Sequence, residues 1–131
     1  MSVSVYKNYA ILKIELDVDA LTKGNNQLSL SIQSRVKVTD REEKSVLSVY
    51  IDINYINNAN SKNIFHTVTL TQFDVDRSYS DEAANNGVDN ESMRTAFLKA
   101  AKCSSLIAKQ ANIDLPDLPP FEEVYKDQLE N

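Results

Sequence analysis

Leu47-Ser48-Val49-Tyr50-Ile51-Asp52-Ile53-Asn54-Tyr55 is the stretch that decides the fold. Leu47, Val49, Ile51, Ile53 and Tyr55 stand at every second position, the period of a strand with one buried face. The spacing predicts a strand over 45–56. Upstream, after the charged turn 40–44, a second strand is predicted over 27–39. There Leu28, Leu30, Ile32, Val36 and Val38 share one parity and Ser34 interrupts it. Downstream, the polar loop 57–61 leads into a β-branched strand over 63–75. Its apolar phase changes between Leu70 and Phe73, which suggests a bulge or bend. At the N-terminal side Leu12, Ile14, Leu16 and Val18 alternate with Lys13, Glu15, Asp17 and Asp19, and Gly24-Asn25-Asn26 supplies a turn. Short turns between alternating runs predict a four-stranded antiparallel meander.

The second half changes period. Residues 77–90 are polar and read as a loop, with a turn of helix at 81–85. Asp89 or Asn90 can cap a helix running to about Asn112. Met93, Phe97, Ala100, Ser104, Ile107 and Ala111 recur at helical spacing. Ala96, Ala100, Ala101, Ser104 and Ala108 keep one side small, so the helix can sit close on a sheet. Pro116, Pro119 and Pro120 forbid helix in 115–120, which reads as an extended strap. A last helix from Phe121 to about Glu130 places Phe121, Val124, Tyr125 and Leu129 together. The expected fold class is α+β, with the helices covering one face of the sheet.

The chain has 131 residues, 42% of them hydrophobic and 25% charged, the size and composition of one globular domain (1–131) able to build a core without metal or disulfides. A formal charge of −5 argues against binding nucleic acid through a broad basic surface. The lone Cys103 cannot form an internal disulfide and fits a reducing compartment. The start lacks a basic, then apolar leader, and no apolar run reaches membrane-spanning length. A cytoplasmic location is expected.

Catalytic signals are weak. Cys103 and His66 are the one thiol–imidazole pair available; Cys103 reads as a small buried hydrophobe and His66 as a packed or edge histidine. Asp17-Val18-Asp19 and Asp74-Val75-Asp76 could offer carboxylates to a hard cation, but they also suit solubility at strand ends. No phosphate loop, nucleophile elbow or zinc spacing occurs. Leu98 and Leu106 point away from the buried arc of the long helix, among Lys99, Lys102 and Lys109. They predict a second packing face, best met by a copy of the same chain in a dimer or tetramer.

The segment Asn112-Ile113-Asp114-Leu115-Pro116-Asp117-Leu118-Pro119-Pro120-Phe121, followed by Val124-Tyr125, resembles the ending of the SecB family of export chaperones. The order of elements matches along nearly the whole chain. Ser92-Met93-Arg94-Thr95-Ala96-Phe97 stands where the family carries an aromatic and proline-containing stretch, so the resemblance is to a divergent member. It implies a homotetramer without cofactor or catalysis that holds non-native polypeptides in apolar grooves, for protein export or to protect an antitoxin. The implied groove residues are Phe73, Val75, Tyr79, Leu115, Leu118 and Phe121. Glu15, Asp17 and Asp19 match the acidic sheet surface that receives a translocation ATPase. Two other readings stand beside this one: a non-catalytic oligomeric adaptor for one folded partner, and a metal-dependent hydrolase using the Asp pairs.

Overall fold

The computed structural model describes residues 4–17, 28–40, 45–79 and 87–126, and every structural statement below concerns these. Four antiparallel strands form one sheet: β1 (Ser4–Leu16), β2 (Leu28–Asp40), β3 (Ser45–Asn57) and β4 (Lys62–Val75). A long helix, α1 (Asn90–Gln110), and a short one, α2 (Phe121–Val124), follow. This is the expected α+β architecture. The strand order is β1-β4-β3-β2, so the meander holds for β2 to β4 only. β1 lies beside β4 instead of β2. The turn at 24–26, the helical turn at 81–85, residues 41–44 of the charged turn and the end of the last helix lie outside the described residues.

β3 is the centre of the sheet. Leu47, Val49, Ile51, Ile53 and Tyr55 are all buried, and each has a cross-strand partner of the same face on β4, from Leu47 with Phe73 to Tyr55 with Phe65. Between Leu70 and Phe73 the pairing of β4 with β3 is continuous, and the irregularity lies on its other side, where the β1 register shifts between Tyr6 and Asn8 opposite Phe73 and Gln72. Against β3 the register shifts between Tyr55 and Ile56, opposite the Ile64 region. That shift lets the neighbours Ile64 and Phe65 both be buried. The phase change has another cause: the core-facing row of β4 carries Thr67, Thr69 and Thr71 between Phe65 and Phe73, all at most 1% exposed.

Those threonines suit the helix above. α1 packs on β3 and β4 through Ala96, Ala100, Ser104 and Ala108, small side chains that allow close approach. Ser104 and Thr67 hydroxyls bond at 2.8 Å inside the interface. The Oγ1 atoms of Thr69 and Thr71 find no partner among the described residues, a cost the apolar core must offset. Met93 and Phe97 fill the wider space at the N-terminal end of the helix.

β1 departs furthest from expectation. It starts at Ser4, well before the predicted 12–19, and carries register shifts between Tyr6 and Asn8 and between Ile11 and Lys13. Each shift inserts one residue and flips the parity. The helix-side face therefore runs Tyr6, Tyr9, Ile11, Ile14, Leu16, and Leu12 leaves the row it was expected to share with Ile14. α1 does not cover this edge: Tyr6, Ile11, Ile14 and Leu16 are all exposed.

Candidate functional site: the cleft between the long helix and the proline strap

α1 is fixed at both ends. Asp89 caps its start, accepting from the Ser92 backbone N–H and hydroxyl at 3.0 Å each and from the Tyr79 hydroxyl. Burial pushes the Asp89 carboxyl up, but these hydrogen bonds outweigh it and hold it below its ordinary value. Burial and the Asp89 bond push the Tyr79 hydroxyl up to about 12. The Ser4 hydroxyl meets that of Ser92 at 2.7 Å, tying the start of β1 into the same network. At the other end Asn112 adopts φ 57. Its N–H donates to Lys109 O and that of Ile113 to Ala108 O, which closes the helix in a Schellman turn.

The strap leaves this turn extended over 113–120, as the prolines predict, and is held at two points. The Tyr55 hydroxyl donates to the Pro116 carbonyl at 2.8 Å. Beyond it, Phe121 and Tyr125 stack with ring centroids 4.8 Å apart and both meet Phe97. The Tyr125 hydroxyl also bonds Ser34 on β2. Arg94 lies over the Phe121 ring and pairs with Glu122 at 2.9 Å. Between these anchors the strap stands off from α1, leaving an open cleft of about 560 Å³. Tyr55 and Phe65 line it from the sheet, Leu98, Lys102 and Lys109 from α1, and Leu115 and Leu118 from the strap. The cleft is largely apolar with a charged rim.

The expected groove is only partly here. Leu115 and Leu118 line the cleft and are half-buried. Phe73, Val75, Tyr79 and Phe121 are 3%, 4%, 6% and 3% exposed, and all four belong to the core cluster. None of the four lines the cleft. Phe73 and Val75 share the helix-side parity of β4, and Tyr79 is turned inward by its bond to Asp89. The sequence reading missed Tyr55 and Phe65 as cleft residues because their strand parity marks them simply as core. Leu98 and Leu106 are each 54% exposed, and Leu98 lies on the cleft wall.

The far face of the sheet is mixed, with Val46, Tyr50, Val68 and Leu70 set among polar side chains. His66 lies there, its Nε2 2.7 Å from Asp52 and its Nδ1 3.9 Å from Glu15. Cys103 is buried on the helix side, so the sheet separates the two and the thiol–imidazole pair cannot meet. The Cys103 thiol instead neighbours Tyr9; burial first, and the bond to Cys103 second, push the Tyr9 hydroxyl up to about 12. Glu15 pairs with Lys13 at 3.2 Å, and the Asp17 N–H donates to Ile64 O. Asp19 lies outside the described residues. Asp74 pairs with Lys7 at 3.8 Å, whereas Asp76 accepts from Ser78 and from the Tyr79 N–H, so that Asp-x-Asp pair is divided between two tasks. Among the described residues no group of three His, Cys, Asp or Glu could hold a metal ion, and no helix is long and apolar enough to cross a membrane.

No model of a protein family and no curated protein matches the chain. Among solved structures it is similar to a SecB-like chaperone of Mycobacterium tuberculosis, in complex with a ChAD peptide from the HigA1 antitoxin. The TM-score is 0.60 over 88% of each chain, at 11% sequence identity. The likeness is one of fold, and it agrees with the SecB-like architecture expected from the strap.

Proposed function

We propose that this chain is a chaperone-type binder of non-native polypeptide, without catalysis or cofactor, and that the cleft between α1 and the strap is its client site. The observation that carries the reading is the cleft itself. Apolar side chains from three elements converge on an open space, and the hydrogen bonds and ring stacking around it keep the strap from collapsing onto the helix. Burying one apolar client side chain there is worth about 1.5–3 kcal/mol. A few such contacts give micromolar binding after ordering costs. The likeness to a chaperone bound to an antitoxin peptide favours a dedicated client, such as an antitoxin segment, over general export. Glu15, the nearest counterpart of an acidic ATPase-docking surface, is already paired with Lys13, which lowers the charge such a partner would meet.

Assembly belongs to the same proposal. β1 exposes Val5, Tyr6, Ile11, Leu12, Ile14 and Leu16 along a free edge. An edge of that composition calls for cover, and a second copy supplies it.

Light scattering of guanidine-denatured malate dehydrogenase, diluted into buffer without ATP, tests the client site. Equimolar wild-type protein should suppress the aggregation. Leu98→Asp and Leu118→Asp should lose most of that effect while keeping the circular dichroism spectrum. A wild type that suppresses nothing would remove the general holdase. The adaptor for one dedicated partner would then stand in its place, tested by recovery of a single partner from the native host.

A further inference from the structure

The outward side of α1 carries a charge pattern opposite to that of the whole chain. Arg94, Leu98, Lys102, Leu106 and Lys109 follow one another at spacings of three and four, and all are exposed. The helix holds Arg94, Lys99, Lys102 and Lys109 against the acid Glu91, within a chain of formal charge −5. Arg94 is engaged by Glu122, and Lys99 lies over the Tyr6 ring. Lys102 and Lys109, on the cleft wall, make no ion pair among the described residues. The facing wall carries Asp114 and Asp117 on the strap.

We infer that the cleft selects extended polypeptide segments whose apolar anchors are accompanied by acidic side chains directed at Lys102 and Lys109. The inference rests on the client-site reading above and names its substrate class. Side chains of an extended chain alternate in direction. A segment lying between a basic and an acidic wall is therefore oriented, with acids toward α1 and neutral or basic residues toward the strap. Leu98 and Leu106 lie about 12 Å apart along the helix, the reach of about four extended residues. A second copy suits this surface poorly. A two-fold pairing of α1 on itself sets Lys102 against Lys102 along with the leucines, and like charges in register oppose association. A flat anionic membrane would meet Asp114, Asp117 and the net negative charge as well.

Two fluorescein-labelled peptides test this. They share leucine anchors four residues apart, and differ in carrying Glu or Lys at the flanking positions. Fluorescence anisotropy at 50 mM salt should show the Glu peptide binding about tenfold tighter, the size that two exposed ion pairs supply at the upper end of their range. Raising salt to 500 mM should erase most of the difference. K102E/K109E should invert the preference, and D114N/D117N should strengthen the Glu peptide further. Equal binding of both peptides, or a preference for Lys, overturns the inference while the holdase stands, provided denatured malate dehydrogenase is still held. Failure to hold either peptide or denatured protein overturns both. A lower molar mass for K102E/K109E would mark the stripe as a self-interface, and co-sedimentation of wild type with phosphatidylserine vesicles as a membrane contact; either result also overturns it.

Discussion

Asp89→Ala should be among the costliest single substitutions outside the apolar core. Asp89 accepts from the Ser92 backbone N–H, the Ser92 hydroxyl and the Tyr79 hydroxyl. Removing an aspartate cap costs about 1 kcal/mol. Leaving the largely buried Tyr79 hydroxyl without its acceptor adds about 1–2 kcal/mol. The expected loss is about 2–3 kcal/mol, or about 8–12 °C in midpoint for a domain of this size. Asn at the same site keeps an acceptor but loses the charge at the helix start, and should cost only about 0.5–1 kcal/mol. Thermal unfolding followed at 222 nm reads both. A cycle with Tyr79→Phe should give a coupling of about 1 kcal/mol between positions 79 and 89. The pH dependence has a definite sign. The Asp89 carboxyl is held below its ordinary value of 3.8, so the stabilisation is complete above that value and fades as pH falls through the lower folded value. The gap between wild type and Asp89→Asn should be flat from pH 7 to about 4 and shrink below. If Asp89→Ala unfolds within about 2 °C of wild type, or Asn proves as harmful as Ala, the cap network carries no such energy.

Three further outcomes follow from burial and exposure. Cys103, buried against the sheet beside Tyr9, should resist alkylation in native buffer, and Cys103→Ala should keep client binding; labelling within seconds would show the helix lifting off. Ala100→Leu forces a large side chain into a site with no exposed surface over the sheet and should cost about 1–3 kcal/mol, read by urea midpoint. Ile11→Lys with Ile14→Lys should lower the molar mass seen by light scattering if β1 is where copies meet; an unchanged mass moves the interface elsewhere.

The strands β2 and β3 and the α1 helix were legible because their apolar periods are regular. The strap was legible from chain chemistry alone, since three prolines leave residues 115–120 no helical option. β1 was not, because two inserted residues break the alternation into short pieces, and only 13–16 kept a readable phase. The β4 phase misled for a chemical reason: Thr67, Thr69 and Thr71 count as polar yet fill the core face. The candidate site was half legible. Leu115 and Leu118 line the cleft, but Phe73, Val75 and Tyr79 are spent on the core. Exposure depends on which face the helix covers, and parity alone does not state it. Leu98 was visible as an outward leucine. That Tyr55 anchors the strap through its hydroxyl depends on a contact between distant parts of the chain.

The place of β1 also bears on how the molecule comes into being. β2 and β3 each pair with the next strand made, whereas Ser4 must wait for Val75 and Leu16 for Phe65. A ribosome adds about 5–20 residues per second, so the first strand emerges several seconds before its partner exists. Closing that span is entropically slow, and β1 should dock after the three-stranded hairpin array has formed. For the same reason it is the element best placed to detach first, with its amides exchanging ahead of those in β3. During that interval the nascent chain displays Tyr6, Ile11, Ile14 and Leu16 on an unpaired extended segment. A newborn copy thus presents the kind of surface that a finished one is proposed to bind, and synthesis in the presence of earlier copies would shelter it.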